Sequence, residues 1–96
     1  MIDEAHGREL RDLKARAQSL RPTVFVGKEG LSDALIKSVS EAFTHQDLVK
    51  VKFIEHKEEK KELAPLLAEK ASAQLVMRVG NVAVLFRRKP AQNSVE

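Results

Sequence analysis

Between Leu20 and Asp33 the chain reads Leu-Arg-Pro-Thr-Val-Phe-Val-Gly-Lys-Glu-Gly-Leu-Ser-Asp, a short β-strand that passes through a Gly-x-x-Gly loop directly into a helix. Pro22 pushes the residue before it out of the α region, so any preceding helix must stop by Arg21. Gly27 and Gly30 permit positive φ and close approach of main chain to a ligand, and Ser32 or Asp33 is suited to cap the helix that follows. A helix start presents unpaired N–H groups and the positive end of a dipole, and Lys28 adds a charge at the tip of the loop. This is the outline of a clamp for a nucleic-acid backbone. Taken alone, the pattern is also satisfied by a strand-to-helix turn whose glycines serve geometry only.

The rest of the chain divides readily by period. Residues 4–20 predict a helix, with Leu10, Leu13, Ala17 and Leu20 at helical spacing. Strand one covers Thr23 to Val26, and helix two runs from about Ser32 to His45 with the apolar stripe Leu35, Ile36, Val39, Ala42 and Phe43. Leu48 to Ile54 alternates, with Val49, Val51 and Phe53 on one face and Lys50 and Lys52 on the other, which marks a half-buried strand. Lys57 to about Ser72 predicts a third helix that buries Leu63, Leu66, Leu67 and Ala71. Pro65 within it removes a hydrogen bond, which predicts a kink or a helix that starts only near Pro65. Gln74 to Val79 and Val82 to Phe86 are strands joined by Gly80-Asn81, a two-residue hairpin signal. The order α-β-α-β-α-β-β predicts an α/β (α+β sandwich) domain, a mixed four-stranded sheet packed by helices, over residues 1–89, with a disordered tail over 90–96.

Composition narrows the function classes. A chain of 96 residues has room for one core. It holds no cysteine, so disulfides, thiolate metal sites and cysteine nucleophiles are excluded. No apolar run approaches the roughly 20 residues of a membrane span, and Met1 to His6 lacks a signal-peptide character, which predicts a soluble cytoplasmic protein. The net charge is only +3, but from Lys70 to Val95 there is no Asp or Glu while Lys70, Arg78, Arg87, Arg88 and Lys89 fall there. That distribution predicts a positive surface in the C-terminal third.

Catalytic and metal constellations do not emerge. His6, His45 and His56 lie in separate segments without a partner four residues away, the pattern of solvated histidines. Glu58, Glu59 and Glu62 interleave with Lys57, Lys60 and Lys61 as a salt-bridged surface does. Gly-Lys-Glu-Gly lacks the spacing and the Lys-Ser/Thr ending of a Walker A loop. The sequence thus predicts no enzyme, no cofactor, no metal and no small-molecule substrate. Tyr and Trp are absent, and Phe43, Phe53 and Phe86 fit core positions, whereas Phe25 alternates with Val24 and Val26 and points to the other face of the sheet. Stacking of bases on the sheet is not the obvious mode, and backbone clamping by a glycine loop with flanking cations fits better.

Three ordered blocks carry a family likeness. Leu20-Arg21-Pro22-x-Val24-x-Val26-Gly27-Lys28-x-Gly30-Leu31-Ser32, then His45-x-x-Leu48-Val49-Lys50-Val51-Lys52, then Val79-Gly80-Asn81-x-x-Val84-Leu85-Phe86-Arg87, resemble the YhbY-like CRM domain, named for chloroplast RNA splicing and ribosome maturation. The likeness covers about residues 8–89, with Gln46 and Pro65 as local departures. It implies a fold similar to the C-terminal domain of bacterial translation initiation factor three and RNA contact at the Gly27–Lys28–Glu29–Gly30 loop. It further implies an RNA-binding protein that associates with ribosomal RNA in precursors of the large ribosomal subunit; with no catalytic constellation in the sequence, a non-catalytic monomer is expected. Arg21, Lys50, Lys52, Arg87, Arg88 and Lys89 are the expected additional cationic contacts, each of which solubility alone would also explain. A splicing or annealing cofactor, or a protein-interaction module that docks a partner at the sheet edge or Phe25, remains open as an alternative.

Overall fold

The computed structural model describes residues 4–88. Lys89 and the tail over 90–96 lie outside the described residues. The elements are α1 (Gly7–Ala17), β1 (Val24–Val26), α2 (Asp33–Ala42), β2 (Leu48–Phe53), α3 (Lys60–Lys70), β3 (Gln74–Val79) and β4 (Val82–Phe86), with a 3₁₀ turn over Lys57–Glu59 leading into α3. The predicted order and the mixed four-stranded sheet are both present. The strands lie in the order β1-β2-β4-β3. β1 pairs with β2 in parallel, with Val24 opposite Val51 and Val26 opposite Phe53, while β2–β4 and β3–β4 are antiparallel. β4 therefore inserts between β2 and β3, the two strands that α3 connects.

Alternation along the strands builds a core on each face. On one face Val24, Val26, Val49, Val51, Phe53, Ala83 and Leu85 pack against Leu35, Val39 and Phe43 of the α2 segment and Ala64, Leu67 and Ala68 of α3. On the other, Leu48, Val76, Val84 and Phe86 pack against Ala5, Leu13 and Ala17 at and within α1. Phe43, Phe53 and Phe86 are core, as the sequence predicts. A bulge between Leu75 and Met77 lets both Val76 and Met77 serve the α1 face. The hairpin turns at Gly80 with φ 57°, and positive φ is confined there to Gly80 and not Asn81, which fits a II′ rather than a I′ turn.

Three local readings need correction. α1 and α2 are shorter than their periodicity suggests, because turns over Gln18–Leu20 and Thr44–Gln46 close each helix with main-chain bonds to its last carbonyls. α3 runs unbroken from Lys60 through Pro65 rather than starting there. Leu66 is 40% exposed, and Ala64 and Ala68 occupy the core face in its place, where small side chains admit close helix–sheet contact. Ser32 is the α2 N-cap, its Oγ accepting from the Leu35 N–H at 3.2 Å.

Phe53 is fully buried on the central strand and Val79 is exposed at the sheet edge. Phe53→Ala is therefore expected to cost about 3–5 kcal/mol in urea unfolding, and Val79→Ala to stay within about 0.5 kcal/mol of the parent.

Candidate nucleic-acid interface

Parallel pairing of β1 and β2 brings the Gly27–Gly30 loop, the chain after Phe53 and the Gly80-Asn81 hairpin to one end of the sheet. The loop is a closed turn in which the Gly30 N–H donates to the Gly27 carbonyl at 3.0 Å. Gly30 has φ +66°, the left-handed region that disfavours other residues, and a Cβ there would lie 3.6 Å from His56 Nε2. Gly27 is different. Its φ is not positive, and a Cβ would meet nothing within 4 Å, so the isolated fold has room for a side chain there. Between them, the Lys28 and Glu29 side chains are exposed and their N–H groups make no hydrogen bond among the described residues.

The loop is fastened from β2. The Ile54 and Glu55 N–H groups both donate to the Val26 carbonyl at 3.0 Å. His56, in the left-handed conformation at φ 58°, places Nε2 2.9 Å from the Lys28 carbonyl and Nδ1 3.3 Å from a Glu59 carboxylate oxygen. Both neighbours are acceptors, so the ring satisfies both only as imidazolium. The pKa of His56 is raised accordingly, chiefly by the hydrogen bond to the Lys28 carbonyl, which outweighs desolvation, with further support from Glu59 and Glu55. The sequence pattern alone predicts a solvated histidine at this position, whereas the fold gives its ring two partners. Its only local signal is its place just before the Lys57–Glu59 turn, and the contact to Lys28 is tertiary.

The predicted cations do not converge. Lys52 is exposed and opposite Phe25 in register, on the face that holds α1, and Arg21 is exposed just ahead of β1 without an ion pair among the described residues. Lys50 instead turns its ammonium back, donating to the Ala17 carbonyl at 2.8 Å and the Leu20 carbonyl at 3.0 Å, where a cation complements the helix C-terminus. Arg87 is half-buried at the other end of the sheet. Its guanidinium donates to the Ala71 carbonyl at the end of α3 and to Ser40 Oγ at 3.3 Å, and lies 4.7 Å from the Phe43 ring centre. Arg88 forms a two-pronged ion pair with Glu9 at 2.8 and 2.9 Å and lies over Phe86, and its hydrogen bond holds the Glu9 carboxyl below the usual carboxylate range. Of the cations expected to form a C-terminal positive surface, Arg87 and Arg88 are thus engaged within the fold. The end that carries the loop is mixed in charge, since Glu55, Glu58 and Glu59 share it.

Among the described residues no group of three His, Cys, Asp or Glu side chains could hold a metal ion, and no helix is long and apolar enough to cross a membrane.

Residues 6–87 match the CRS1/YhbY (CRM) domain. Over 91 residues the chain is 33% identical to the probable RNA-binding protein YqeI of Bacillus subtilis, spanning 94% of this chain and 95% of that one. It is 42% identical over 84 residues to the probable RNA-binding protein MJ0652 of Methanocaldococcus jannaschii, spanning 84% of this chain and 62% of the relative. The solution structure of the Staphylococcus aureus protein SAV1595 is similar at a TM-score of 0.78 and 28% identity, covering 98% of this chain and 95% of that one.

Lys50 and Lys52 separate a structural from a surface role on one strand. Lys50→Met is expected to lower stability by about 1 kcal/mol, because two helix-end carbonyls lose a charged donor at a half-exposed site, whereas Lys52→Met leaves the urea midpoint unchanged. For His56 the folded pKa lies above the ordinary 6.5, so the contribution of its charged form is complete below that value and is lost as pH rises through the folded pKa. The His56 ring protons should titrate above 6.5 in NMR spectra, with the Lys28 and Gly30 amides following the same curve, and His56→Asn should flatten the amide response.

Proposed function

Because the chain belongs to the CRS1/YhbY (CRM) domain family, we propose that it is a non-catalytic RNA-binding protein that contacts RNA through its Gly27–Gly30 end. The match across residues 6–87 carries this reading, together with a curated relative of nearly the same length, YqeI, named as a probable RNA-binding protein. The loop supplies the means. Free N–H groups at Lys28 and Glu29, the adjoining N-terminus of α2 and an open Gly27 admit a phosphate against main chain, where donors need no side chain and read no base. Glu29 at the tip opposes a phosphate laid directly over it, so the path runs beside Lys28 rather than across the whole turn.

In this reading the RNA is ribosomal, in precursors of the large subunit, and the protein acts in the cytoplasm as a monomer. One small domain with few phosphate contacts has too little surface to hold a ribosome alone, so its preference comes from an RNA shape present only during assembly. Lys50, Arg87 and Arg88 are committed elsewhere in the fold, which leaves Arg21, Lys28 and Lys52, among the described residues, as the cations that meet phosphates.

Neutralising about three phosphates gives a slope of log K against log salt between about −2 and −3. Binding of a structured ribosomal RNA fragment should show that slope, and Lys28→Glu should weaken it and move the protein from pre-large-subunit fractions to the top of a sucrose gradient. Salt-independent binding, or a peak confined to small subunits or polysomes, would refute the assignment. Gly27→Val separates clamp from turn: the fold tolerates a side chain there, so RNA affinity should drop while the melting temperature holds.

A further inference from the structure

Phe25 is the middle residue of β1, and its neighbours Val24 and Val26 are buried while its own side chain is 52% exposed. In register it stands opposite Lys52, Lys52 opposite Val82, and Val82 opposite Val79. One row across the sheet therefore presents an exposed phenyl ring, an exposed ammonium and two valines, of which Val79 is 60% exposed. α1 covers the other half of this face, over Leu48, Val84 and Phe86, and stops at Ala17, whose carbonyl accepts from the Lys50 ammonium. The four strands contain no Asp or Glu, and the acidic Glu55 to Glu59 segment leads into α3, which packs on the opposite face. Phe25 also borders a groove of about 250 Å³ that reaches Gly27, Gly30 and Ser32, with Glu29 the one carboxylate on its lining.

We infer that this row is a stacking platform, in which the Phe25 ring takes the face of one unpaired RNA base while Lys52 and the Gly27–Gly30 loop hold the phosphates on either side of it. The inference rests on the RNA-binding reading above and adds where the strand lies and what kind of nucleotide it needs. Every base has a π-face, so stacking on one ring tolerates any sequence but requires a base released from its pair. The charge pattern selects the occupant: an aromatic ring beside an ammonium that has no ion pair among the described residues, on strands without a carboxylate, favours a polyanion with flat apolar bases.

The full-length chain contains no Trp and no Tyr, so Phe25→Trp installs a single fluorophore on the platform. Unlabelled oligouridylate should quench its emission to a saturable plateau that high salt reverses, and a blunt RNA duplex should leave it unchanged. In anisotropy with labelled RNA, Phe25→Ala should weaken oligouridylate binding by about five-fold to a hundred-fold and duplex binding by no more than about two-fold. Phe25→Leu, which keeps an apolar strand residue, should bind oligouridylate as poorly as the alanine variant if stacking rather than folding is at stake. If anisotropy reports RNA binding while Trp emission stays flat and Phe25→Ala binds as the parent does, the platform is refuted and the RNA-binding reading stands. That result is also the one a protein-docking surface would give. If neither RNA binds, both are refuted.

Discussion

β2 is the constraint on which the other elements depend. Leu48, Val49, Val51 and Phe53 are each almost wholly buried, Leu48 facing α1 and the other three facing α2 and α3, so this one strand holds both cores together. Its flanks do equivalent work. Before it, the Asp47 carboxylate pairs with Arg16 of α1 at 2.8 Å while the Asp47 carbonyl accepts from the Arg87 N–H. In its middle Lys50 closes α1, and beyond its end the Ile54, Glu55 and His56 segment holds the Gly27–Gly30 loop by three hydrogen bonds. A change in β2 register by one residue would turn the core valines to the α1 face and detach the loop at the same time.

Capping divides the basic residues into two populations. Lys50 and Arg87 each place a cation at a helix C-terminus, where unpaired carbonyls and the negative end of the dipole favour it. Arg87 is the costlier of the two, because its Nε is buried without a partner; the Ala71 and Ser40 bonds and the Phe43 ring offset that loss. Arg88, paired with Glu9, ties the end of β4 to α1. What remains at the loop end is a small set of exposed cations beside a row of carboxylates, a surface that steers RNA by position more than by total charge.

The elements and the core were largely legible because period-two strands and apolar helix stripes are local properties of the chain. The β3–β4 hairpin is recognisable to the residue and β2 to within one residue at its end, and the alternation of Val24, Phe25 and Val26 already separates the exposed ring from the buried pair. Helix ends were less legible, since the turns that close α1 and α2 follow tertiary demand rather than propensity. The loop was visible from its two glycines, yet their roles differ in a way no spacing reveals: φ requires Gly30, and nothing in the free fold requires Gly27. The surroundings of the cations were least legible, because a lysine on the polar face of a strand looks the same in sequence whether it meets solvent or, as Lys50 does, the end of a helix about 30 residues away.

The central claim is that RNA meets the Gly27–Gly30 end of the domain and not the end where Arg87 and Arg88 lie. Amide chemical-shift mapping of the full-length chain during titration with a structured ribosomal RNA fragment tests it most directly. The account predicts that the largest shifts fall on Phe25, Gly27, Lys28, Gly30 and Lys52, with Arg87, Arg88 and the start of α1 unmoved. Shifts concentrated at Glu9, Arg87 and Arg88, with the glycine loop silent, would contradict it.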